Sequence, residues 1–150
     1  MEYTILPNTN IEVSKICLGT MTWGNQNTQN DGFNQMDFAL DRGVNFFDTA
    51  ELYPVPATKE TQGFTSEIIG KWFKDRGTRD KIILASKIAG PGDYTAHIRK
   101  TGFKGNSIHE AINLELKRLK TDYIDLYQLH WPERQTNTFG IRDFKPNPRD

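Results

Sequence analysis

Four polar side chains follow apolar runs at intervals that suit chemistry. Asp48 and Tyr53 lie in Asn45-Phe46-Phe47-Asp48-Thr49-Ala50-Glu51-Leu52-Tyr53, Lys87 closes Ile82-Ile83-Leu84-Ala85-Ser86-Lys87, and His130 ends Tyr123-Ile124-Asp125-Leu126-Tyr127-Gln128-Leu129-His130. In a parallel α/β protein, side chains at the carboxyl ends of the strands converge on one rim. A carboxylate, a phenol, an ammonium and an imidazole meeting there make a proton-donating site. Singly, each has a commonplace explanation: a turn residue, a packing residue with a wet hydroxyl, a solvated strand end, a structural histidine. It is the joint occurrence, on successive strands, that points to chemistry.

The elements that would position them alternate regularly. Tyr3 to Leu6 and Ile11 to Val13 flank Pro7-Asn8-Thr9-Asn10 and read as a hairpin. Lys15 to Leu18, Val44 to Phe47, Ile82 to Ala85 and Tyr123 to Leu129 read as strands. Between them, Phe33, Met36, Ala39 and Leu40 recur at helical spacing up to Gly43, and Ser66 is expected to cap a helix carrying Ile68, Ile69, Trp72 and Phe73. Ser107 and Glu110 suggest a capping box for a helix with Ile108, Ala111, Ile112, Leu116 and Leu119 on one face. Hairpin followed by β-α-β-α-β-α-β predicts an α/β fold with four parallel strands. Residues 88–106, with four glycines and Arg99, Lys100 and Lys104, are expected to form a long mobile loop, and 131–150 an irregular tail of the same single domain, 1–150.

Composition narrows the class. The chain of 150 residues carries 19 basic and 19 acidic residues, so charge argues for neither nucleic acid nor an anionic membrane. Cys17 is the only cysteine, which excludes an internal disulfide; it is expected to be an inert buried thiol in a reducing compartment. No run approaches the roughly 20 apolar residues of a membrane span, and the first residues do not form a signal peptide. A cytoplasmic protein is expected. Trp23 and Trp131 are expected to wall an apolar pocket beside the rim, Trp72 to be core. His97 and His109 receive no role. Gly19 to Gly24 is not the Gly-x-Gly-x-x-Gly dinucleotide fingerprint.

These residues resemble the aldo-keto reductase family, and within it the bacterial Tas-type members. The resemblance runs from the hairpin to about Gly140 and is carried by Leu18-Gly19-Thr20-Met21-Thr22-Trp23-Gly24, Phe47 through Pro56, Glu60-Thr61-Gln62-Gly63, Ala85-Ser86-Lys87, Arg118 through Tyr123, and His130-Trp131-Pro132. It implies the N-terminal half of a (β/α)8 barrel and NADPH-dependent reduction of an aldehyde or ketone. By the same resemblance Tyr53 donates the proton, Lys87 lowers its pKa, Asp48 holds Lys87, and His130 steers the small-molecule carbonyl substrate. Gly19, Thr20, Met21 and Asp48 would approach the nicotinamide. A complete barrel needs about 250 residues, so the chain is expected to be a fragment or half of an enzyme. Two alternatives stay open. One is an inactive truncated chain acting by association; the other is a half-barrel completed by a second copy. An open half-barrel would expose inward side chains such as Ile16, Phe47 or Phe46, Ile83 and Leu126 or Tyr127, and favour self-association.

Overall fold

A computed structural model describes residues 1–134, 137 and 143. The expected irregular tail therefore lies mostly outside the described residues. Strands Tyr3–Ile5 (β1) and Glu12–Ser14 (β2) pair antiparallel, with Asn8 in the left-handed region at φ 60° in the turn. The parallel sheet follows in chain order: Cys17–Gly19 (β3), Phe46–Asp48 (β4), Ile83–Ile88 (β5) and Leu126–Leu129 (β6). Helices Gln29–Asp41 (α1), Phe64–Arg76 (α2) and Ser107–Leu119 (α3) provide the crossovers. Among the described residues, no helix is long and apolar enough to cross a membrane.

Register divides the sheet into two faces. Leu18, Phe47 and Leu84 are aligned on one side. They pack with Met36 and Ala39 of α1, Ile69, Trp72 and Phe73 of α2, and Leu119 of α3. Burying a side chain as large as Phe47 is worth roughly 1.5–3 kcal/mol, so this helix-facing row anchors the unit. Cys17, Phe46 and Ile83 form the adjacent row on the opposite side. Phe46, Ile83 and Leu126 are half-buried, and Ile16, just before β3, is 60% exposed. The inward side chains are thus Phe46 and Leu126 rather than Phe47 and Tyr127. Cys17 is exposed, not buried. Its position in the pleat puts it in the inner row, away from the helices.

Helix ends differ from the sequence expectation. The N-cap of α2 is Gly63, and Ser66 is fully buried inside the helix. Its hydroxyl donates to Glu115 Oε1 at 2.6 Å, and Ser86 donates to the same oxygen at 2.8 Å. A tertiary partner has recruited the serine away from capping. Burial pushes the Glu115 carboxyl above the usual range. In α3 the N-cap is Asn106 and no side-chain cap forms; Ser107 is the first helical residue, hydrogen-bonded to the Thr101 hydroxyl at 2.7 Å. The capping box that does form belongs to α1, between Thr28 and Asp31. Helices α2 and α3 approach so closely at Gly70 that a Cβ there would lie 2.2 Å from the Arg118 carbonyl oxygen.

Candidate active site

Beyond Asp48 the chain turns across the end of β5. Thr49 N–H donates to Ala85 O at 2.9 Å, Glu51 N–H to Lys87 O at 3.1 Å, and Tyr53 N–H to Ala50 O at 3.0 Å. This turn brings Tyr53 back over the rim. Asp48 is aligned with Ala85, and Lys87 lies two residues further along the same face, aligned with Gln128 of β6. The ammonium of Lys87 reaches Asp48 Oδ2 at 2.5 Å and the Thr49 carbonyl at 2.7 Å. Lys87 Nζ stands 5.1 Å from the Tyr53 ring centroid. His130 follows β6 directly, and its backbone N–H donates to Ile88 O at 3.1 Å. Its ring meets the edge of Tyr53 at a centroid distance of 5.6 Å and contacts Trp131 at 5.0 Å. The structure brings Asp48, Tyr53, Lys87 and His130 to one place.

Burial and neighbouring charge set their electrostatics. The Tyr53 phenol is pushed up to about 12, by burial first and then by the negative charge of Asp48. The Lys87 ammonium is engaged by Asp48 and lies beside the same ring. Burial, and then the charge of Lys87, push the His130 imidazole down to about 4. The histidine is therefore neutral at physiological pH, and its Nδ1 is buried without a hydrogen-bond partner.

Other expected residues fall in different places. Trp131 is half-buried at the rim, where its Nε1–H donates to Pro91 O at 3.0 Å and its ring lies on Gly90, close enough to exclude a Cβ there. Trp23 is not a pocket wall. It is fully buried in the helix-facing core with Met36 and Ile68, its Nε1–H donating to Gln35 Oε1 at 3.0 Å. The turn after β3 carries it inward, leaving Met21 half exposed at 50% in that stretch. Thr20 is buried and its hydroxyl donates to the Asp48 carbonyl at 2.9 Å, so it braces Asp48 from behind. Gly19 is exposed, in register with Asp48, and a Cβ built there would meet nothing within 4 Å.

Sequence reasoning passed over Gln128 and Glu51. Gln128 Nε2–H donates to Asp48 Oδ1 at 3.4 Å. Its signal was the period of two that sets it on the inner face before His130. Glu51, 1% exposed, accepts from Ala89 N–H at 2.8 Å and pairs with Arg99. An acid and a base 48 residues apart leave no local signal. Arg99 also changes the picture of residues 88–106: β5 runs to Ile88, and the loop beyond it is pinned by buried contacts.

Comparisons with known proteins identify the family. Residues 15–144 match the Aldo/keto reductase family. The chain is 47% identical over 142 residues to Protein tas of Escherichia coli (strain K12), covering 93% of this chain and 41% of that protein. It is 43% identical over 141 residues to the uncharacterized oxidoreductase YrpG of Bacillus subtilis (strain 168), covering 91% and 42% respectively. It thus spans about two fifths of the length of these relatives. Among solved structures it resembles the holo form of aldo-keto reductase AKR11C1 from Bacillus halodurans, with TM-score 0.66 and 34% identity over 86% of this chain and 40% of that one. It also resembles the thermostable aldo-keto reductase Tm1743, with TM-score 0.66 and 28% identity over 100% of this chain and 45% of that one. The parallel sheet is part of a (β/α)8 barrel, and the chain belongs to the aldo/keto reductase family.

Proposed function

We propose that this site reduces aldehydes or ketones to alcohols, with NADPH as the hydride donor. The observation that carries the reading is the Lys87–Asp48 ion pair set beside the Tyr53 and His130 rings at the ends of neighbouring parallel strands. The rim fits the nicotinamide end of the cofactor. Gly19 leaves open space in register with Asp48, whose carboxylate is an acceptor for an amide. Gly19, Met21 and Asp48 would hold that end, with Thr20 supporting Asp48. When bound, the cofactor supplies hydride to the carbonyl carbon.

The chain's own residues handle the proton. A phenol held up at about 12 stays protonated at neutral pH, which is the form a donor needs. A carbonyl oxygen turning into an alkoxide is far more basic than a phenolate, so transfer from Tyr53 runs downhill as the reaction proceeds. The phenolate left behind is stabilised by Lys87. A nearby cation favours the charged phenolate over the neutral phenol. Neutral His130 donates a ring N–H to the carbonyl oxygen, orienting and polarising it. Trp131 supplies an apolar wall. In the intact protein, NADPH consumption with an aldehyde should depend on Tyr53. Tyr53→Phe should lower turnover roughly 10²–10⁴-fold with NADPH affinity unchanged; full turnover in that variant would sink the assignment.

A further inference from the structure

The 89–106 segment packs on the proton-donating site through several contacts. Ile98 packs against the cluster of Ala50, Leu52, Tyr53 and Ala89 that Trp131 also joins. The Tyr94 hydroxyl oxygen accepts from Ala57 N–H at 2.7 Å, and the Pro91 carbonyl accepts from Trp131. One residue ties the segment to the site. Glu51 Oε1 accepts from Ala89 N–H at 2.8 Å and from Arg99 Nη1 at 2.5 Å, while Oε2 accepts from Arg99 Nη2 at 3.0 Å. Through its backbone Glu51 also donates to Lys87 O at 3.1 Å and accepts from Gln62 Nε2 at 2.7 Å. It therefore touches the strand end that bears Lys87, both parts of the loop, and the approach to α2, and it sits two residues from Tyr53.

The pair has two favourable conditions only. Closed, both charges are paired by a bidentate fork, with the side chains 1% and 11% exposed. Open, both are hydrated. A closed loop with one partner missing would strand a buried charge. We propose that Glu51 and Arg99 form a latch. They are positioning residues that hold the 89–106 segment over the rim and so fix Tyr53 and Trp131 for the reacting carbonyl. This inference rests on the proposed reductase function for its consequence, but not for its structural test.

Glu51→Gln, Arg99→Met and Arg99→Lys in the intact protein test it. Trp23 and Trp72 are fully buried in the core, so the part of the tryptophan emission that a Trp131→Phe background removes reports on Trp131. Glu51→Gln should raise amide exchange across 89–106 at least about tenfold, speed tryptic cleavage after Arg99, Lys100 and Lys104 (after Lys100 and Lys104 alone in Arg99→Met), and red-shift the emission. Exchange in α1 and α2 should not change. Arg99→Met should behave alike, and Arg99→Lys should restore part of the protection. If Arg99→Met does not fold, the Glu51→Gln/Arg99→Met double variant removes both charges and should still show the exposed loop. In turnover, kcat should fall roughly 10²-fold with NADPH affinity retained, as expected of a site misplaced by about 1 Å. Unchanged exchange and emission overturn the latch, and so does a uniform rise in exchange that includes α1 and α2. A wild-type protein that folds and exchanges as described but reduces no carbonyl overturns the function reading and leaves the latch standing.

Discussion

Lys87 lies between two groups and engages one of them: its ammonium is 2.5 Å from Asp48 Oδ2 and 5.1 Å from the centre of the Tyr53 ring. The charge of Asp48, second to burial, raises the Tyr53 pKa. Asp48→Asn should bring the Tyr53 phenol down from about 12. The measurement is ultraviolet titration of the variant, with the same titration in a Tyr53→Phe background subtracted to isolate this tyrosine. A phenol that stays at its wild-type value would show that burial alone sets it.

Tyr53 and Lys87 should behave as one proton-transfer unit. Lys87→Met should damage turnover about as much as Tyr53→Phe, and the double variant should be little worse than either single one. All three are to be assayed on one aldehyde. A double variant showing the product of the two losses would make Lys87 independent of Tyr53.

His130 should write itself into the acid side of the stability curve. Its imidazole sits near 4 in the folded protein, against an ordinary value of 6.5. The unfolded chain therefore binds this proton first. The stability that comes from holding the ring neutral is complete above about 6.5 and is lost as pH falls towards about 4. Denaturant titrations over this window should show a decline in wild type that is shallower in His130→Asn. Equal slopes would mean that other groups carry the whole effect.

Gly70→Ala should destabilise by about 1–3 kcal/mol, because its Cβ would press on the backbone of Arg118 and Leu119 where α2 crosses α3. The expected signature is a lower denaturation midpoint with an unchanged slope. A midpoint equal to wild type would show that the helices separate at no cost.

A polypeptide of residues 1–150 should self-associate and bind NADPH weakly. Within the described sheet, β3 and β6 are edge strands, and Phe46, Ile83 and Leu126 line an inner face that remains partly exposed. Light scattering and NADPH fluorescence titration measure both. A monomer with tight NADPH binding and aldehyde turnover would contradict this view of the sheet.

The sequence by itself determined the order of elements and the alignment of the site. Alternating strand and helix periods set a parallel sheet, and residues at equivalent strand ends must share a rim. Asp48, Lys87 and His130 were therefore legible as neighbours, and Tyr53 through its five-residue spacing from Asp48. What tertiary structure decided were choices between faces and between partners. Phe46 and Phe47 are identical in type, and only strand register sends Phe47 to the helices and Phe46 inward. Trp23 and Trp131 looked alike as pocket walls, yet the turn after β3 buries one in the core while the other lies on Gly90 at the rim. Ser66 had the chemistry of a cap and became a donor to Glu115, since a buried carboxylate outcompetes a helix end for its hydroxyl. The Tyr53 pKa depends on burial and on the nearby charge of Asp48, and the Glu51–Arg99 pair joins residues far apart in the chain. Local pattern encodes periodicity and strand ends; burial and long-range charge pairing exist only once the chain has folded.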